Sequence, residues 1–406
     1  MNQTGGFVRT MMAVLRACIL ALIGVSPALL HTQPAAAQDA FYQAAESEIA
    51  GPAGSVIRKE PRLGAPAGAT AYKILYRSTK PDGTPIAVSG IVIIPAGQAP
   101  AGGWPIVAWA HPTTGIVSRC APSRALTVFQ QIAGSRHLLE RGYAIAATDY
   151  PGLGTPGPHP YLVGESEARA VIDSVRAIRS FPGLENSTRY AVWGHSQGGQ
   201  AALFTGMIAK SYAPELQLVG VAAAAPATDL GALMTDDLNT AGGRNITAMT
   251  IWSWARVYGA PMDDVIEPAA MPTVSALAEQ CIEGAFDLYI RQKLSAPLAH
   301  TFLSVKNPAA VEPWKSLLLR NSPGNLPTDI PMFISQGSSD GLVRPSITEA
   351  YKSRLCKAGS KVEMLMMPGV SHGFIGYDSA DARGRLDGRP VQRKCRCQQL
   401  LTEAAS

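Results

Sequence analysis

Tyr190-Ala-Val-Trp-Gly194-His-Ser196-Gln-Gly198-Gly199-Gln-Ala-Ala-Leu203 is the stretch that decides how this chain folds. The residues entering it are apolar and β-type, and the small residues leaving it suit a helix. Between them Gly-x-Ser-x-Gly centres on Ser196. A serine on a sharp strand-to-helix turn is held with strained backbone and presents its hydroxyl at the end of a sheet. Gly194 and Gly198 fit that turn, because side chains there would collide with the neighbouring strand and helix. The five-residue pattern also arises by chance, so its setting carries the reading. Here a strand precedes it, a helix follows it, and the helix N-terminus is aimed at a developing anion.

Working outward, Trp104–Ala110, Tyr143–Thr148 and Leu216–Ala224 are continuous apolar runs, the mark of strands covered on both faces. Helical stretches are expected at Ser123–Arg141, Glu167–Phe181 and Gln200–Tyr212. In the second the apolar positions are 168, 171, 172, 175 and 178, and Pro182 stops it. Residues 104–224 therefore alternate strand and helix, which predicts an α/β fold: a mostly parallel sheet with helices on both faces. Upstream, Tyr72–Arg77 and Ile86–Ile94 read as strands joined by a turn at Lys80-Pro-Asp-Gly83. The Ala-, Gly- and Pro-rich residues 38–70 are expected to be an irregular lead-in. The alternation stops near residue 228 and resumes with strand Pro331–Ser335, helix Ser346–Cys356, strand Val362–Met367 and a short helical C-terminal region. Residues 229–328 are read as a helical cap inserted between the sixth and seventh strands. Within it, Met249–Tyr258 suits either the core of the cap or a wall of a substrate tunnel.

Composition bounds the chemistry. With 47% hydrophobic and 16% charged residues over 406 positions, the chain can bury a sizeable core and does not read as disordered. The net charge of +5 is small and no Lys/Arg run suggests a nucleic-acid face. Arg9 and Arg16, an apolar run from Ala17 to Leu30 and then Ala35-Ala-Ala37-Gln38 read as a secretory signal peptide over residues 1–37, leaving 38–406 as one domain. Five cysteines follow: Cys120, Cys281, Cys356, Cys395 and Cys397. They match no zinc spacing, and no metal or other cofactor is expected.

A serine hydroxyl needs a base, and the base needs a group that fixes its tautomer. On this scaffold the order along the chain is Ser, acid, His. After Ser196 the only histidines are His300, inside the proposed cap, and His372, in a loop after the last strand. Catalytic groups gather at the C-terminal ends of parallel strands, so His372 is the candidate base. Asp340 follows the strand at Pro331–Ser335 in a Gly/Ser loop and is the candidate acid. Asp329 precedes that strand and falls at its wrong end. The two backbone donors for an oxyanion are expected at Gln197, directly after the nucleophile, and at Thr114, in the loop His111-Pro-Thr-Thr114-Gly115. His111 is expected to shape that loop. Cys120 lies just past it and Cys281 lies in the cap, so a bridge between them would tie cap to core. Cys356 would then pair with Cys395 or Cys397, since residues two apart rarely meet disulfide geometry.

Six segments carry a resemblance: Ala108–Gly115, Cys120-Ala-Pro-Ser123, Thr148–Gly157, Gly194–Gly198, Gly337–Asp340 and Ser371-His372-Gly373. In these the chain is similar to the secretory lipases, the α/β-hydrolases related to Candida antarctica lipase A. The resemblance implies extracellular hydrolysis of carboxylic esters through Ser196, Asp340 and His372. It also implies an ester or lipid as substrate, transient contact with lipid interfaces, no metal, and a helical cap. Two positions depart from the fungal pattern: Thr114 replaces an aspartate and Gln197 replaces a glycine. A peptidase on the same scaffold, or a binding protein without catalysis, is the alternative. Trp252, Trp254, Phe286 and Tyr289 of the cap are the expected apolar surface for an acyl chain.

Overall fold

The computed structural model describes residues 40–380. The proposed signal peptide, Cys395 and Cys397 lie outside them. Nine strands form one sheet: β1 (Val56–Pro61), β2 (Ala69–Thr79), β3 (Pro85–Pro95), β4 (Ile106–Ala110), β5 (Ala144–Thr148), β6 (Arg189–His195), β7 (Gln217–Ala224), β8 (Met332–Gly337) and β9 (Val362–Met367). Their order is β1-β2-β3-β5-β4-β6-β7-β8-β9. The β1–β2, β2–β3 and β3–β5 pairs are antiparallel, and from β5 through β4 to β9 every pair is parallel.

Alternate residues of the central strands feed two cores. Ile106, Ala108, Ala144, Ala146, Tyr190 and Val192 face one side. Val107, Trp109, Ile145, Ala147 and Trp193 face the other. Every residue of β4 and β5 is buried, as the continuous apolar runs require. Apart from a single helical turn at Glu46–Ile49, the α-helices in chain order are α1 (Ser135–Glu140), α2 (Gly164–Ile178), α3 (Gln197–Tyr212), α4 (Leu230–Asp236), α5 (Ala241–Val257), α6 (Met271–Ala278), α7 (Ala285–Leu294), α8 (Trp314–Arg320), α9 (Pro345–Lys357) and α10 (His372–Ala380). Helices α2 and α3 supply Val171, Ile172, Val175, Ala201 and Leu203 to the first core. Helices α4 to α8 form the insertion between β7 and β8. Its Met249, Trp254, Leu277 and Trp314 are continuous with the second core. No helix among the described residues is long and apolar enough to cross a membrane.

Two expectations fail locally. Val56–Pro61 is a strand, not part of an irregular lead-in. It is a half-exposed edge carrying Arg58, Lys59 and Glu60, and such an edge lacks the apolar signature of a buried strand. It adds one strand, so the insertion follows the seventh strand of the chain instead of the sixth. The helix expected over Ser123–Arg141 shrinks to α1, preceded by a short 3₁₀ turn at Pro122–Arg124. Gly134 stands in the left-handed region at φ 76°. Ala125 is extended at ψ 138°, which ends the turn after Arg124, while Ser123 is held by Asp149.

Candidate active site

Ser196 sits between β6 and α3 with φ 58° and ψ −118°. A β-carbon on Gly194 would run into the Gly198 carbonyl, and one on Gly198 into the Ala110 carbonyl. The turn is therefore as tight as glycine permits, and the serine carries the backbone strain. The Ser196 N–H donates to the Ala224 carbonyl at 2.8 Å and its own carbonyl accepts the Gln200 N–H at 3.0 Å, which fixes the turn to β7 and α3.

His372 opens α10 and reaches both partners. Its Nε2 lies 2.8 Å from Ser196 Oγ and its Nδ1 lies 2.7 Å from Asp340 Oδ2. The sequence separations are 176 and 32 residues, so only the fold brings these three together. Asp340 Oδ1 accepts the N–H groups of Leu342 and Val343 at 2.9 and 2.8 Å, and Gln336 Nε2 donates to Oδ2 at 3.1 Å. Burial pushes the Asp340 carboxyl up. The His372 hydrogen bond and charge, with the two N–H groups, outweigh it and leave the pKa below the ordinary value. His195 Nε2 donates to the His372 carbonyl at 2.9 Å. Burial lowers the His195 pKa to about 3, so it remains neutral and holds the His372 backbone without competing for its charge. His300 lies outside this cluster.

The residues expected to supply anion donors are Gln197 and Thr114. Gln197 is the first residue of α3, where no intrahelical carbonyl is available to its N–H. Thr114 borders the same cavity as Ser196 and His372. Its carbonyl accepts the Ile282 N–H at 2.8 Å. One residue away, Cys120 and Cys281 form a disulfide with Cα atoms 5.2 Å apart, so the Thr114 loop is bound to the insertion. Cys356 is exposed and has no disulfide partner among the described residues. The His111 ring nitrogens lie 2.6 Å and 3.2 Å from the carbonyl oxygens of Pro112 and Asp149, and burial lowers its pKa to about 4.

Ser196 and His372 open onto a cavity of about 560 Å³. Apolar walls come from Ile91, Trp109, Val128, Ile246, Met249 and Leu288. The four aromatic residues expected there are elsewhere. Trp254 is buried against Trp314, with its Nε1 donating to the Tyr161 carbonyl at 2.8 Å. Trp252 is covered by the Arg256 guanidinium. Phe286 and Tyr289 face solvent. In the Met249–Tyr258 stretch, Met249 is wall and Trp254 is core.

This constellation can be compared with known proteins. A family model described as secretory lipase matches residues 121–376, more than half of the chain. The chain belongs to the secretory lipase family. One relative, from Mycobacterium tuberculosis and named a probable inactive lipase, is 32% identical over 177 residues, 41% of this chain and 39% of that protein. Lipase 1 of Candida albicans is 26% identical over 289 residues, 65% of this chain and 59% of that one. The chain thus spans between about two fifths and three fifths of these curated relatives. The solved structure of Candida antarctica lipase A superposes with a TM-score of 0.68 at 19% identity, covering 82% of this chain and 80% of that one. That likeness shows the shared α/β-hydrolase fold.

In this chain the departure from the fungal pattern at Gln197 has a structural account. Its side chain is buried and donates from Nε2 to Glu167 Oε1 at 2.7 Å and to His159 Nε2 at 3.1 Å. Glu167 also accepts the Leu162 N–H at 3.0 Å, and His159 Nδ1 donates to the Pro151 carbonyl at 2.8 Å. The His159 carbonyl accepts Ser253 Oγ of α5 at 2.6 Å. One network therefore links the residue after Ser196 to the insertion. Asp149 forms a second hub, accepting Ser89 Oγ at 2.6 Å, the Ser123 N–H at 2.8 Å and the Ser123 hydroxyl. Sequence reading passed over Glu167, His159, His195, Gln336 and the role of Asp149. Only Glu167 gave a signal, since it precedes Val171 by four residues and so falls on the apolar face of α2.

Proposed function

We propose that this chain is a secreted serine hydrolase that cleaves carboxylic esters. The hydrogen-bonded chain from Ser196 through His372 to Asp340, at the mouth of an apolar cavity, carries that reading. Ser196 Oγ attacks the ester carbonyl while His372 Nε2 takes its proton. The oxyanion is met by the N–H groups of Thr114 and Gln197. His372 returns the proton to the leaving alcohol, and an acyl-enzyme forms. Water then repeats the sequence and releases the acid. Asp340 keeps Nδ1 protonated, so Nε2 is the free base. Membership of a secretory family and the Cys120–Cys281 disulfide support export, with residues 1–37 as the leader.

The substrate class follows from the cavity and its rim. The walls suit an apolar limb of several carbons. Leu288 and Tyr377 border the cavity and are exposed, beside exposed Phe286 and Phe374 on the same two helices. This apolar rim supports contact with lipid interfaces and hydrolysis of water-insoluble esters. The relative named as inactive makes a binding role the alternative reading. A fluorophosphonate separates them: covalent attachment at Ser196 with turnover of p-nitrophenyl esters supports the hydrolase, and absence of both would leave a binding protein. Cleavage of aminoacyl anilides without ester turnover would make it a peptidase.

A further inference from the structure

Asp340 sits in a loop that is held from two sides. From the sheet, Gln336 of β8 donates its Nε2 to Asp340 Oδ2 at 3.1 Å and to the Val343 carbonyl at 2.9 Å. Thr348 Oγ1 of α9 donates to Gln336 Oε1 at 2.7 Å and fixes that amide. From the other side comes the helical insertion. A β-carbon on Gly242 would meet the Leu342 side chain at 3.1 Å, so α5 packs against the loop there. Leu342 and Val343 share the wall of a second, smaller cavity with Asp237, Ile246 and Ser196. These two loop residues are the ones whose N–H groups meet Asp340 Oδ1 at 2.9 and 2.8 Å.

The next residue, Arg344, ties the loop to the insertion by charge. Its Nε lies 2.9 Å from Asp237 Oδ1, and its Nη2 donates to the Asp236 carbonyl at the end of α4. The Arg344 side chain is 43% exposed and that of Asp237 is 1% exposed. A fully exposed ion pair is worth little, but removing this guanidinium would leave a buried carboxyl without its counter-charge. Burial raises the Asp237 pKa, and the Arg344 charge opposes that rise. Asp237 is itself firmly placed. Its carbonyl accepts the Thr240 N–H at 2.8 Å and Thr240 Oγ1 at 2.9 Å, and a β-carbon on Gly243 would lie 2.1 Å from that carbonyl. The turn from α4 into α5 is therefore packed around Asp237, and Arg344 is anchored to it.

We propose that the Arg344–Asp237 pair is a positioning clamp for Asp340, by which the insertion holds the acid loop so that the carboxylate stays on His372 Nδ1. This rests on the reading of Asp340 as the group that orients His372. Arg344 follows Val343 directly, so a shift of Arg344 carries the Val343 N–H away from Asp340 Oδ1. The carboxylate then turns on Gln336, and His372 loses the partner that fixes its tautomer. Arg344 and Asp237 take no proton and act only through Asp340. The insertion thus walls the cavity and also completes the hydrogen-bonded chain that ends at Ser196.

The test is a double-mutant cycle on p-nitrophenyl ester turnover. Arg344→Met removes the charge and keeps an apolar stem. It should lower kcat by about tenfold to a hundredfold with little change in KM. Arg344→Lys keeps the charge without the fork that reaches both Asp236 and Asp237, and should recover part of the loss. In an Asp340→Asn background, Arg344→Met should lower kcat by less than about twofold, because the group it positions is already gone. The downfield proton resonance of the His372 Nδ1–H should be lost or moved in Arg344→Met and kept in Arg344→Lys. Melting curves show which variants fold. Asp237→Asn keeps the side-chain shape, should give the same signs, and decides the matter if Arg344→Met does not fold. A folded Arg344→Met with wild-type kcat overturns the proposal, and so does a loss of equal size in both backgrounds, which is what a merely structural pair would give. In either case a slow Asp340→Asn leaves Ser196, His372 and Asp340 in their roles. If Asp340→Asn turns over like wild type, the orienting role of Asp340 and the clamp fall together.

Discussion

Gln197 and Glu167 are joined by a 2.7 Å hydrogen bond directly behind Ser196, from the side chain of the residue that follows it to a fully buried carboxyl. A glycine at position 197 would keep the backbone N–H and lose this anchor. Gln197→Gly should lower kcat by between about tenfold and a hundredfold with little change in KM, because a shifted oxyanion donor acts only on the transition state. Stability should fall by about 1–3 kcal/mol, since Glu167 and His159 lose their donor. Steady-state kinetics with a denaturant titration reads both. An unchanged kcat with lowered stability would make the anchor purely structural.

Glu167 itself sets a pH dependence. Burial raises its pKa from 4.5 to about 8, against the opposing bonds from Gln197 and the Leu162 N–H. The folded protein therefore holds a proton that the unfolded chain releases. Between those two pH values the native state binds more protons, so this group makes stability fall as pH rises, by up to about 1.4 kcal/mol per unit. The contribution levels off above the folded pKa. Glu167→Gln keeps the shape and does not titrate. Its stability relative to wild type should climb with pH through that window, and a difference that stays flat would show that Glu167 is ionised throughout.

Asp340→Asn tests the orienting role. The amide would keep an oxygen for the Leu342 and Val343 N–H groups and turn its NH₂ toward His372 and Gln336. That NH₂ would favour the His372 tautomer with its proton on Nε2, which cannot accept from Ser196. Turnover should fall by ~10⁴-fold while the melting temperature stays near wild type. A loss below tenfold would remove Asp340 from the role.

The Cys120–Cys281 bridge closes a loop with a sequence separation of 161. Replacing both cysteines by serine should cost on the order of 4–5 kcal/mol in the chain-entropy account. The Thr114 carbonyl and Ile282 N–H lie beside it, so kcat should fall as well. Denaturant midpoints and ester turnover, with and without reductant, give the two readings. Reduction that alters neither would mean that the helical insertion is held by packing alone.

Acyl length tests the cavity. Each buried methylene is worth about 0.8 kcal/mol, up to about fourfold in kcat/KM per added carbon. The p-nitrophenyl series should rise from acetate over several carbons. A profile that peaks at acetate would make the protein a short-chain esterase.

Much of this molecule is fixed by local sequence. The apolar runs at 106–110 and 144–148 must be covered on both faces. Gly194 and Gly198 permit only a tight elbow, and the order Ser196, Asp340, His372 fits one end of a parallel sheet. These are short-range properties of period and backbone freedom, and they survive without knowledge of neighbours. The edge strand Val56–Pro61 was not legible, because half-exposed strands carry no apolar signature. Neither were the partners of Gln197, since hydrogen bonds to Glu167 and His159 span 30 and 38 residues. Tertiary packing alone decided that Trp254 is core, that Phe286 and Tyr289 face outward, and that Arg291 lies inward with Nη1 on the Leu277 and Gln280 carbonyls. Amphipathic patterning assigns a helix a buried face only on the rule that apolar residues face in. Helix α7 reverses that rule, because its inner side meets carbonyl oxygens, and its outer side forms the apolar rim.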